Sequence, residues 1–169
     1  MKLRQKLGRL GLTVIALGSG SAYATDISGT ISSTLTISEN SRLVGDVTCT
    51  VTGAPCITFA TSGVTLDLNG YSLTGLGDPT AGCAGPQGPG ETGILINSLR
   101  DIVIRGLGIV QQFRNQGILI TNSNGITVTG VTVSTNCWSG IYMSGGSDNL
   151  LEGNISVRNG HPMNPCGGI

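Results

Sequence analysis

Apolar and polar residues alternate in short bursts along this chain, and from residue 93 the bursts recur in a fixed order. Gly93-Ile94-Leu95-Ile96 is followed by Asp101-Ile102-Val103-Ile104-Arg105-Gly106, and Gly117-Ile118-Leu119-Ile120 by Gly125-Ile126-Thr127-Val128-Thr129-Gly130. A third copy opens at Gly140-Ile141-Tyr142-Met143 and carries Leu150-Leu151-Glu152-Gly153, so the repeat is 24 residues and then 23. Alternation at period two marks strands with one buried face, and a repeat of this length marks a solenoid. Each copy holds three alternations. The expected inward sets are Ile94 and Ile96, Ile102 and Ile104, Leu107 and Ile109, then Ile118 and Ile120, Ile126 and Val128, Val131 and Val133. The third copy continues them with Ile141 and Met143, Leu151, then Ile155 and Val157. Stacked in parallel at about 4.8 Å, such residues form ladders on three sides. The pattern predicts an all-β chain, a right-handed parallel β-helix of about four turns.

Upstream the pattern weakens. Cys56 to Gly75 reads as a first turn, with Ile57 and Phe59 answering Ile94 and Ile96, and Leu66-Asp67-Leu68-Asn69-Gly70 answering Ile102 to Gly106, a match open to a slip of two residues. Residues 25–52 alternate only loosely and are expected to form short strands or an irregular N-terminal cap, leaving 53–169 for the repeats. Leu76 to Thr92, rich in Gly and Pro, predicts a loop that leaves the coil at one corner. Gly168-Ile169 matches the start of a turn, from which truncation at the C-terminus is expected.

Residues 1–24 change the charge picture. Lys2, Arg4, Lys6 and Arg9, the apolar run Leu10 to Leu17 and the small-x-small Ala22-Tyr23-Ala24 read as a secretory signal peptide, too short in its apolar run to span a bilayer. Without it the chain has five Arg against nine acids, net −4. That balance argues against a nucleic-acid partner and against membrane insertion once the leader is removed, and it would repel uronic-acid polymers unless Arg residues were gathered in one groove or a divalent cation intervened. Abundant Gly, Thr, Val, Ile and Ser with few aromatics suits short strands and tight turns.

The stretch Val64-Thr65-Leu66-Asp67-Leu68-Asn69-Gly70-Tyr71-Ser72-Leu73-Thr74-Gly75, with the Gly-Ile repeats behind it, resembles the exported bacterial right-handed β-helix repeat proteins of the pectin-lyase-like superfamily. The resemblance implies a secreted, periplasmic or cell-surface protein that handles carbohydrate. It does not imply a reaction, because the matching residues are core and turn positions. Neither the clustered Asp with a nearby Arg or Lys that marks calcium-dependent lyases of that superfamily nor the paired Asp with Gly-His-Gly of its hydrolases is present. Calcium enters only through the resemblance, with no site identified and no other cofactor or metal indicated.

Three constellations carry possible chemistry. Asn69, Arg105, Thr129 and Glu152 are expected in one outward column, with Asp67 near its top; such a column is either a polar groove for sugar hydroxyls or a solvated sheet face with weak ion pairing. Leu95, Leu119 and Tyr142 form a second, apolar column, covered by a loop or open as a platform for a sugar ring. Trp138, at a turn corner, suits either stacking on a sugar or capping the corner. His161, the one His in the chain, has the right ordinary pKa for acid–base work but sits in a Pro-rich loop, where a solvent-exposed role is the commoner one. The functional expectation is an exported module that binds or accompanies polysaccharide without a complete active site. The alternatives are a polysaccharide lyase, epimerase or hydrolase with catalytic turns beyond Ile169, and a structural or adhesin-like shaft.

Five Cys follow the leader. Cys49 and Cys56 flank a turn and predict one disulfide; Cys137 and Cys166, both just ahead of a turn-opening Gly, predict another, with Cys83 a competitor from the same corner. No C-x-x-C spacing supports zinc.

Overall fold

The computed structural model describes residues 25–80, 83 and 90–160. The signal peptide, His161, Cys166 and the Gly168-Ile169 match lie outside these residues. Strands β1 (Thr25–Ile31), β2 (Leu35–Ile37) and β3 (Ser41–Cys49) open the fold. Four three-strand turns follow among the described residues: β4 (Ile57–Phe59), β5 (Thr65–Asp67) and β6 (Ser72–Thr74); β7 (Ile94–Asn97), β8 (Val103–Arg105) and β9 (Ile109–Gln111); β10 (Ile118–Thr121), β11 (Thr127–Thr129) and β12 (Thr132–Ser134); β13 (Ile141–Ser144), β14 (Leu150–Glu152) and β15 (Ile155–Val157).

Every strand pairing is parallel, and each turn lies on the one before it. The first face is β2-β4-β7-β10-β13; the second runs β5-β8-β11-β14 and the third β6-β9-β12-β15. The second and third faces join because β3 bends through a whole corner: its Ser41 and Arg42 pair with β5, its Val47 and Thr48 with β6. β1 repeats that bend beyond β3, with a register shift between Ile27 and Gly29, the latter at φ 81°. The opening segment is thus built in register with the turns it precedes.

Short strands leave the corners to set the geometry, and left-handed residues recur at the same corner places from turn to turn. At the third corner the slot holds Gln112, Thr135 and Arg158 at φ 56°, 50° and 54°, which shows that the bend itself, not glycine, imposes the conformation. The interior holds the expected ladders Ile94–Ile118–Ile141 and Ile104–Val128–Leu151, and almost all of these side chains are shielded completely.

On the third face Leu73, Val131 and Val133 are buried as expected, but two turns are off by one residue: Val110 and Ser156 stand in register with Val133, whereas Leu107 is 84% exposed and Ile155 59% exposed. The cause lies at the second corner, which tightens from Leu68–Tyr71 to Gly106–Gly108 and then to Gly130-Val131. Leu68 turns fully inside, and a Cβ on Gly108 would stand 2.4 Å from its Cβ, so the next turn leaves that place empty and throws Leu107 outward.

The last described turn is fastened differently from the others. Asn149, Asn154 and Asn159, five residues apart, stand one at each corner. Each Oδ1 accepts the backbone N–H of the residue 23 positions earlier, namely Ile126, Val131 and Asn136, at 2.8, 3.0 and 3.0 Å. Each Nδ2 donates to the carbonyl 26 positions earlier, of Ser123, Val128 and Val133, at 3.0, 2.8 and 3.0 Å. Asn136 makes the same double contact with Phe113 and Val110 one turn back. Asn154, which sits in a glycosylation sequon, therefore has its amide nitrogen committed to the backbone. Val131 is fully buried, so Asn154→Ala strands its N–H without a partner; the expected cost is about 1–3 kcal/mol, read as a lower urea midpoint at an unchanged slope.

Candidate functional site

The outward residues of the second face form a charged column. Its register runs Asp26–Arg42–Asp67–Arg105–Thr129–Glu152, so Arg105, Thr129 and Glu152 stack as expected. Asn69 does not join them. Leu66 pairs with Ile104 rather than Ile102, because Val64 takes the inward place ahead of it, and Asp67 moves into the column instead. Asn69 occupies the second corner in the left-handed conformation, where its Nδ2 donates to the Leu43 carbonyl. The column alternates in sign at its upper end: Arg42 Nε meets Asp26 Oδ1 at 2.8 Å and Arg105 Nε meets Asp67 Oδ2 at 3.0 Å. The Arg42 hydrogen bond holds the Asp26 carboxyl below its ordinary range. Solvent-exposed pairs of this kind add little to stability.

The first face is different in kind. Its outward positions give two columns side by side, Leu95–Leu119–Tyr142 and Asn97–Thr121–Ser144. Leu95 and Leu119 are half-buried and Tyr142 is 47% exposed, forming an apolar ridge. Beside it Thr121 Oγ1 donates to Asn97 Oδ1 at 2.9 Å, the start of a strip of amide and hydroxyl groups. Thr36 and Thr58 continue the ridge toward the start of the coil. The polar strip, unlike the apolar column, is not among the expectations from sequence; the signal for it is the single residue that follows each of Ile96, Ile120 and Met143. Among the described residues no outward strand position of this face carries a charge.

The third corner carries the long loop. Cys49 bonds to Cys56 as expected, but Cys137 bonds to Cys83, not Cys166. Cys83 starts from the first turn's loop and reaches Cys137 two turns on, which the loop's length allows and its composition conceals. Phe113 lies beneath the loop's stem: a Cβ on Gly75 or Gly93 would stand 2.7 or 2.8 Å from its ring, so only glycine fits there. The returning limb buries Glu91, whose Oε2 accepts from Arg114 Nη1 at 2.9 Å and whose Oε1 accepts the Gly53 N–H at 2.9 Å. Trp138 is part-buried at this corner, its backbone N–H donating to the Asn115 carbonyl at 3.3 Å.

Among the described residues no group of three or more His, Cys, Asp or Glu converges as a metal site, and no helix is long and apolar enough to cross a membrane. Two disulfides point to an oxidising compartment. A family model described as "Right handed beta helix region" matches residues 80–169, more than half of the 169-residue chain. No curated protein and no solved structure matches it.

Proposed function

This chain belongs to the right-handed β-helix family, and on that premise we propose that it is an exported module whose first face binds a neutral polysaccharide, without a complete active site among the described residues. The observation that carries the reading is the pairing of the two columns, Leu95–Leu119–Tyr142 against Asn97–Thr121–Ser144. A pyranose has an apolar face and a rim of hydroxyls, and a ridge of carbon beside a strip of hydrogen-bonding groups matches both at once. Neutrality of the ligand follows from the face itself: among the described residues no outward strand position of the first face carries a charge, so the ridge and strip hold no guanidinium for a uronate.

Affinity electrophoresis through gels containing neutral polysaccharides tests this. The wild type is expected to be retarded by at least one of them, with no new reducing ends or unsaturated products, and Tyr142→Ala to lose about tenfold in affinity, about 1.4 kcal/mol, at an unchanged melting temperature. Retardation by polygalacturonate alone, or by nothing, overturns the reading.

A further inference from the structure

A second binding surface lies where the first face turns into the second. Here the residues behind the polar strip of three successive turns gather around a shallow cleft of about 410 Å³, lined by Arg100, Asp101, Asn124, Gly125, Ser147 and Asp148. Its volume falls in the range of small-molecule sites, about 300–1,000 Å³.

Two stacked columns build it. In one, Arg100 bridges to Asn124, and Asn124 Oδ1 accepts from the Ser147 N–H at 2.8 Å and the Ser147 hydroxyl at 3.1 Å. In the other, Asp101, Gly125 and Asp148 share the left-handed slot at φ 56°, 66° and 58°. A Cβ on Gly125 would lie 2.7 Å from Asp101 Oδ1, so the Asp101 carboxylate leans over the middle turn. The floor is glycine backbone and the walls are side chains.

The wall chemistry is mixed rather than merely acidic. Arg100 offers guanidinium donors, Asp101 and Asp148 offer carboxylate acceptors, and the exposed Ser147 hydroxyl, 2.9 Å from Asp148 Oδ2 and 3.1 Å from Asn124 Oδ1, has one proton to give to one or the other. A sugar hydroxyl donates and accepts at once, and charge-assisted partners of both kinds within one cleft suit it. Two carboxylates against one guanidinium turn a uronate away.

We propose that this corner cleft is a subsite for the hydroxyl groups of a neutral oligosaccharide that lies along the first face. The proposal rests on the reading of that face as a glycan platform. It adds a site that grips a ring by its hydroxyls, next to a ridge that grips it by its carbon.

The test is amide-resolved NMR of the intact chain titrated separately with hexasaccharides of β-1,4-glucan, α-1,4-glucan, β-1,4-mannan and β-1,4-xylan, and with hexagalacturonate. The expected result is that one neutral hexasaccharide shifts the amides of Gly125, Ser147 and Asp148 together with those of Leu119 and Tyr142, and that Asp148→Asn binds it at least tenfold more weakly. Asn holds the left-handed conformation readily, as Asn122 does at φ 49° in the preceding turn, so this variant removes charge and leaves the backbone in place. Shifts on the first face with a silent corner, or wild-type affinity in Asp148→Asn, overturn the cleft and leave the platform standing. Shifts at the corner alone overturn the platform, and with it the proposal that the cleft extends a glycan bound along the first face. Silence toward every hexasaccharide overturns both, and a preference for hexagalacturonate overturns the ligand class.

Discussion

Ile120→Asp is expected to give no folded protein, seen as loss of the strand signal in circular dichroism and of any cooperative denaturation. Ile120 is completely buried, between Ile96 and Met143 in the ladder of the first face. Removing its branched side chain alone costs about 2–5 kcal/mol, and a carboxylate left there without a partner costs several kcal/mol more. Against a total stability of about 5–15 kcal/mol for a domain, little or nothing remains. Arg105→Ala is the contrast. Its side chain is 43% exposed where it meets the 19% exposed Asp67; a pair this open to solvent contributes about 1 kcal/mol, so that variant stays folded. Tolerance of both substitutions would mean that the ladders are assigned to the wrong residues.

The second large effect belongs to Arg114→Leu. Glu91 is 5% exposed and Arg114 15% exposed at their contact, so the pair is shut away under the loop's returning limb. Taking away the guanidinium leaves Glu91 Oε2 without its Arg114 contact, while Oε1 keeps the Gly53 N–H. Breaking such a pair from one side costs about 3–5 kcal/mol. The residual exposure of Arg114 favours the lower end. Urea denaturation of the oxidised protein measures the loss. The double variant Glu91→Gln with Arg114→Leu should recover part of it, because the buried charge then goes as well; equal stability of wild type and single variant would show that the pair carries no weight.

Fold was legible because interior positions of a coil have one demand, apolarity, repeated at a fixed interval. Ile94, Ile118 and Ile141 align at sight, and the ridge Leu95–Leu119–Tyr142 follows from the same alignment. What failed was whatever depended on the corners. Nothing in the local pattern of Gly106-Leu107-Gly108 says that Leu68, a full turn earlier, already fills the space inside. The same blindness misplaced Asn69 by two residues and sent Cys137 to the wrong partner, since a disulfide is chosen by where a loop comes down and not by spacing from a glycine. The cleft at Arg100 and Asp148 is hidden in the sequence for a related reason. Its members come from three turns and alternate between two columns, so no contiguous motif announces them.

The asparagines at 149, 154 and 159 have one more consequence. All three amides reach backward, to backbone groups 23 and 26 residues earlier. A turn fastened in this way depends on the one before it at all three corners at once. A layer written with asparagine at every corner is thus pinned to its foundation, and a change that loosens the turn beneath is felt at three points together.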